Sequence, residues 1–111
     1  MNNISHPWVA SYPPSVQPTI NDTDFSTLVD MFNISVETYA DNPAMESFGV
    51  KQSFRELGIS ATCVAAWLQS RGLQKGERVA IMSPNVLAYP TILFGILLAG
   101  GCVVNVNPLY T

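Results

Sequence analysis

Val79-Ala80-Ile81-Met82-Ser83-Pro84-Asn85-Val86-Leu87-Ala88-Tyr89-Pro90-Thr91-Ile92-Leu93-Phe94-Gly95-Ile96-Leu97-Leu98-Ala99-Gly100-Gly101-Cys102-Val103-Val104-Asn105-Val106-Asn107-Pro108-Leu109-Tyr110-Thr111 contains no charged side chain. The five Lys+Arg and eight Asp+Glu of this 111-residue chain all precede it. Charged groups are almost never buried without a partner, so a segment this long without one is built to meet little water. It is either a membrane span or interior material of an α/β protein.

Val86 to Val106 is long enough for a span, and it is rich in Val, Leu, Ile and Phe. Three features oppose that reading. The helical part ends at Gly100-Gly101, and Val86 to Ala99 rises only about 21 Å at 1.5 Å per residue, short of a roughly 30 Å hydrocarbon core. Val103, Val104 and Val106 after the glycines are β-branched, which signals a change to strand. No Lys or Arg cluster flanks either end. The pattern predicts strand 79–82, helix 86–99 and strand 102–106, a βαβ unit with parallel strands and a right-handed crossover. Both strands lack alternation, as expected of strands covered on both faces. Ser83-Pro84-Asn85 offers an N-cap, and Pro90 is tolerated near a helix start. A helix apolar on every side needs protein on every side, so partner structure is expected beyond Thr111.

Upstream, Phe25 to Ala40 has apolar residues on one helical face, with Thr27 and Asp30 as a capping pair and Asn42-Pro43 as a stop. Ala44 to Phe48 and a second strand ending near Gln52 suggest a hairpin turning at Gly49-Val50-Lys51. Ser53-Phe54-Arg55-Glu56 is a capping box. Phe54, Leu57, Ala61, Val64, Ala65 and Leu68 line one face behind it, and Gly72 suits a left-handed helix end. Gly58 is out of place inside that helix. Residues 1–22, with Pro7, Pro13, Pro14 and Pro18, read as an extended arm, and residues 23–111 as the folded portion.

Charged residues make up 12% of the chain, about half the share usual in soluble domains, which again points to covered surface. The net charge of −3 and the scattered Lys51, Arg55, Arg71, Lys75 and Arg78 give no basic patch and no support for a nucleic-acid partner. Cys63 and Cys102 read as small buried hydrophobes in a reduced, cytoplasmic setting. Met1 to Ile20 has neither the basic start nor the apolar core of a signal peptide.

The stretch from Gly72-Leu73-Gln74-Lys75-Gly76-Glu77-Arg78-Val79 to Ser83-Pro84-Asn85 resembles adenylate-forming acyl-CoA synthetases. So do Tyr89-Pro90, Leu93-Phe94-Gly95-Ile96-Leu97, Ala99-Gly100 and Val103-Val104-Asn105-Val106-Asn107-Pro108-Leu109-Tyr110-Thr111. The last of these resembles the long-chain fatty acid–CoA ligase branch, as do Ser26-Thr27-Leu28-Val29-Asp30-Met31-Phe32 and Ser53-Phe54-Arg55-Glu56-Leu57. Leu98 stands where that family often has a basic residue. Ser83 replaces a frequent Met, and Gly58 and the extra Gly101 are expected to weaken packing slightly.

The resemblance runs from Trp8 to Thr111 and implies an α/β fold, the incomplete N-terminal part of the large AMP-binding domain of such an enzyme. It implies ATP, CoA and Mg²⁺ as cofactors of the whole enzyme and a long-chain fatty acid as its substrate. It also implies a cytoplasmic location compatible with peripheral attachment to the inner face of the membrane. The phosphate loop, ribose-binding acid and catalytic lysine of the family lie beyond this stretch. No catalytic, cofactor-binding or metal residue is therefore expected within it, and no activity from it alone. Two other classes stay open: a small single-span membrane protein with an amphipathic head, and a module that completes a partner's sheet.

The residues that invite a chemical role have plainer readings. His6 sits in the arm without a neighbouring Cys or carboxylate and reads as solvated. Glu56 reads as a cap before a general base. Asp22, Asp24 and Asp30 lack the spacing of a calcium loop and read as helix-start acids. Trp8 and Trp67 have ligand-stacking faces, and Trp67 reads as core or core edge. Asn105 and Asn107 flank a parallel-strand end, where ligands collect in α/β sheets, and Asn107 before Pro108 reads as a turn former.

Overall fold

The computed structural model describes residues 6–20 and 24–110. A 3₁₀ helix, Pro7–Ser11, precedes α1 (Leu28–Thr38), β1 (Pro43–Ser47), β2 (Val50–Ser53), α2 (Phe54–Ser70), β3 (Arg78–Met82), α3 (Ala88–Leu98) and β4 (Cys102–Val106). β1 and β2 form an antiparallel hairpin, and β3 and β4 a parallel pair joined through α3. Val86 to Val106 is thus helix, turn and strand, and no helix among the described residues is long and apolar enough to cross a membrane.

The layering explains why α3 is apolar all round. One side of it rests on β3 and β4, and the other on α2 and α1. Ile96 is fully buried between the layers, and Phe32 of α1 stacks on Phe94 of α3 with ring centroids 4.1 Å apart. Leu57 and Ala61 of α2 complete that cluster. The helices approach closely because small residues line the seam. A Cβ on Gly95 would stand 2.5 Å from Val64 Cγ1 and 3.0 Å from the Ala61 carbonyl oxygen. Gly58 is placed for the same reason, since its Cβ would stand 2.7 Å from Val36 Cγ1. Gly101 likewise faces Ile96 and Leu73, so the two glycines expected to weaken packing are instead required by it.

Helix ends follow the sequence signals with some corrections. Ser53 accepts from the Glu56 amide at 3.2 Å, and the Ser53 amide donates to Glu56 Oε2 at 2.8 Å, closing the capping box. The α2 and α3 ends both close with paired backbone bonds, Leu73 N to Leu68 O with Gly72 N to Gln69 O, and Gly101 N to Ile96 O with Gly100 N to Leu97 O. Gly100 takes φ +84°, the left-handed turn that this closure needs. α1 starts at Leu28 rather than Phe25, because Thr27 accepts from the Asp30 amide at 3.0 Å and so sets the boundary. α3 starts after Leu87 without a side-chain cap, so Ser83 and Asn85 do not serve as one. Pro90 falls in the first turn, where its missing N–H costs no helical bond.

The hairpin turns at Phe48-Gly49, ahead of the expected Gly49-Val50-Lys51, because Ser47 pairs directly with Val50. Both turn residues have positive φ, 51° and 78°, the pattern of a type I′ turn. The arm is not extended throughout, since Pro7–Ser11 is a 3₁₀ helix; among the described residues that helix packs against none of the other elements. The expected boundary at residue 22 lies outside the described residues.

The strand pair departs most from expectation. Val79, Ile81 and Val103 face α3, but the opposite face has nothing over it among the described residues. Met82 is 64% exposed, and Ala80, Cys102 and Val104 are exposed beside it. Cys63 is exposed as well, so neither cysteine is the buried hydrophobe that was expected, and both are free thiols. The N-terminal ends of the strands are fastened by Gly76 N to Gly100 O at 2.8 Å and Cys102 N to Glu77 O at 2.7 Å.

Candidate functional site

Ligands in parallel sheets collect at the carboxyl ends of the strands. At that end of β3 and β4 lies an open groove of about 620 Å³, bounded by the Ser83–Asn85 and Asn107–Tyr110 segments. Its side is formed by Ile81, Tyr89 and Val106. A smaller groove of about 320 Å³ runs from Asn85 and Tyr89 to Met45, Glu46 and Ser47 of β1.

The geometry follows from local sequence. Asn105 neighbours Ile81 across the parallel pair, on the face turned towards α3. Tyr89, in the first turn of α3, donates its hydroxyl to Asn105 Oδ1 at 2.7 Å. Asn107 Oδ1 accepts from the Leu109 amide at 2.9 Å, and its carbonyl from the Tyr110 amide at 3.1 Å, which builds the expected turn. The Ser83 hydroxyl donates to the Pro84 carbonyl at 3.0 Å. Several hydrogen-bonding groups therefore meet here, but the larger groove has no Lys or Arg in its lining. A triphosphate and its metal need cationic and backbone donors aimed at them, so these residues do not by themselves fit ATP or Mg²⁺.

The other chemistry-bearing residues are dispersed. His6 is exposed and lies against Trp8, ring centroids 4.9 Å apart. Trp67 is 58% exposed, at the edge of the core and not within it, with the Arg71 guanidinium 5.7 Å from its ring. The α2 apolar face turns its neighbours Val64, Ala65 and Leu68 inward and leaves position 67 on the rim. Glu56 is occupied as a cap, and its carboxyl is held below the usual carboxylate range, first by the Ser53 backbone bond and then by the Ser53 hydroxyl. Asp30 lies in the first turn of α1. Asp24 is exposed, and Asp22 lies outside the described residues. Among the described residues no three His, Cys, Asp or Glu side chains gather as a metal-holding group. The Tyr89–Asn105 contact was missed at the sequence level; a polar residue within the apolar Cys102–Val106 run was its only signal.

Comparison with known proteins places these elements. The family described as "AMP-binding enzyme" matches residues 32–111. A curated long-chain-fatty-acid–CoA ligase of Escherichia coli O6:H1 is 52% identical over 105 residues, covering 94% of this chain and 19% of that protein. The Klebsiella oxytoca NpsA N-terminal subdomain superposes with a TM-score of 0.75 at 25% identity, over 78% of this chain and 23% of that one. The anthranilate CoA ligase AuaEII, solved in complex with anthranoyl-AMP, gives a TM-score of 0.70 at 26% identity, over 74% of this chain and 16% of that one. The chain spans about a fifth of the length of the curated ligases that it matches. With the family match running from the core residue Phe32 through β4, this chain belongs to the AMP-binding, adenylate-forming enzyme family.

Proposed function

We propose that the chain is the N-terminal part of a long-chain fatty acid–CoA ligase and acts there as scaffold, inactive by itself. In that enzyme a fatty acid carboxylate attacks the α-phosphate of ATP and releases pyrophosphate, leaving an acyl-adenylate. The thiol of CoA then attacks the acyl carbon and expels AMP. Mg²⁺ would offset phosphate charge in the first step, held by residues outside this stretch.

The observation that carries the reading is the 52% identity to a long-chain-fatty-acid–CoA ligase along almost the whole chain. The one-sided parallel pair agrees with it, because a parallel sheet needs cover on both faces, and polypeptide following β4 would supply the second. The scaffold role is supported by the groove at the strand ends, whose lining holds no Lys or Arg for a nucleotide. A cytoplasmic location, with peripheral attachment to a membrane that holds the substrate, is part of the same proposal.

The test is ATP-dependent pyrophosphate release with palmitate, followed by acyl-CoA formation, for this chain alone and for this chain joined to the remainder of a curated ligase. Turnover by the joined protein and none by the chain alone is the expected result. Acyl-adenylate formed by the chain alone would remove the scaffold role. A joined protein that activates an aryl or amino acid in preference to palmitate would remove the fatty acid assignment.

A further inference from the structure

We infer that in the whole enzyme the strand that follows β4 pairs with the free edge of β3, and that the helix leading to it lies on the open face of the sheet. This path presupposes that the chain is the N-terminal part of a longer ligase, as proposed above. It adds the direction that the polypeptide takes beyond β4 and the surface that receives it.

Handedness decides the direction. Crossovers between parallel strands of one sheet share one hand in about 98% of cases. α3 covers one face of the sheet on its way from β3 to β4. A crossover of the same hand that returns over the opposite face must move the other way across the sheet. From β4 that path passes over β3 and ends at its far edge, which is unpaired among the described residues. The strand order then reads new strand, β3, β4, a reversal of direction at β3. A crossover on the α3 side would end at the free edge of β4 instead and leave the open face bare.

The residues favour the first path. On the open face Ala80, Met82, Cys102 and Val104 are exposed and uncharged, and the small Ala80 beside Val104 lets a helix settle closely. The α3 side of β4 is of another kind. Asn105 is exposed there and accepts the Tyr89 hydroxyl, and a second helix laid over that pair would strip its amide of water. Ile81 on β3 is 3% exposed while Asn105, its partner on β4, is open, as suits an inner strand beside an outer one.

The experiment compares the chain alone with the chain joined to the remainder of a curated ligase. Backbone hydrogen exchange reads the edge. In the two-stranded pair only the β3 amides turned to β4 are bonded; in the joined protein those turned outward should slow as well, by about a hundredfold or more. Photocrosslinking of the joined protein reads the face. Benzoylphenylalanine in place of Met82, and separately of Val104, should capture the same peptide, within about 30 residues after Thr111, the size of one crossover unit. Outward β3 amides that exchange as fast as in the chain alone, or captures that fall on later segments, would each overturn the inference. So would capture of that first peptide by a probe at Asn105 and by neither of the other two. No readout needs ATP, CoA or turnover, so a joined protein that activates a different acid leaves the strand order standing. A joined protein in which even the β4-facing amides lose protection removes the N-terminal reading, and the strand order with it.

Discussion

The Tyr89 hydroxyl reaches from the first turn of α3 to Asn105 Oδ1 on β4, 2.7 Å away, and ties the start of the crossover helix to the end of the strand that follows it. Asn105 pairs with the buried Ile81 but is itself exposed, so water can take the place of the phenol when the bond is lost. Tyr89→Phe should lower unfolding free energy by no more than about 1 kcal/mol, since the exposed acceptor regains a partner from water. Asn105→Val alone should cost no more, and the double variant should cost less than the two summed. Urea unfolding of all four proteins gives the coupling directly.

The α2–α3 seam depends on Gly95. Gly95→Ala gains about 1 kcal/mol of helix propensity but forces a methyl against Val64 and the Ala61 carbonyl, at an overpacking cost of about 1–3 kcal/mol. Net destabilisation is expected, with partial recovery in Gly95→Ala/Val64→Ala, because the side chain can be trimmed while the backbone oxygen cannot. The nearest atoms to a methyl in Gly58→Ala all belong to the Val36 side chain, so it should be milder, and Val36→Ala should recover it more completely. Thermal midpoints of these variants would rank the two seams.

The capping box makes α2 sensitive to acid. Glu56 has its carboxyl lowered by the Ser53 bonds in the folded chain, so the unfolded chain binds the proton more readily. Its stabilising contribution is present above the ordinary carboxylate range and is lost as pH falls through the lowered folded value. Glu56→Gln should remove this component of the acid-side slope and leave stability at pH 7 less dependent on further acidification. Unfolding midpoints measured from neutral pH into the carboxylate range would show the two curves converging at low pH.

The open sheet face predicts self-association. Met82 and Val104 lie exposed on it with no charge nearby except Arg78 at the strand start. Met82→Glu combined with Val104→Lys should reduce light scattering by the concentrated chain and leave its far-ultraviolet circular dichroism unchanged, since both side chains point away from α3. A joined full-length ligase should respond oppositely and lose stability, because there the same positions would be covered.

Much of this arrangement was legible from residue pattern because its signals are local. Ser53 and Glu56 three apart, Gly72 and Gly100-Gly101 after apolar faces, and β-branched residues after the glycines each specify geometry within one turn of chain. What escaped depends on contacts distant in sequence. Gly58 looked like a flaw until Val36 was placed against it, and of the two readings open for Trp67, core or core edge, the turn of α2 leaves it at the edge. The cysteines and both strands were read as buried from their apolar neighbours, but burial is decided by what lies opposite, and opposite one sheet face lies nothing among the described residues. The Phe48 turn escaped because no turn-forming pair marks it; strand register alone forces the positive φ.

The uncovered side of β3 and β4 has a consequence in time as well as in space. A ribosome makes about 5–20 residues per second, N-terminus first, so in a longer polypeptide this strand pair emerges seconds before its second wall exists. During that interval the nascent chain presents an apolar, β-prone surface with Arg78 as its only charge, the kind that chaperone holdases bind. Ribosome-bound chains arrested shortly after Thr111 should recruit such factors, and the Met82→Glu/Val104→Lys pair should release them.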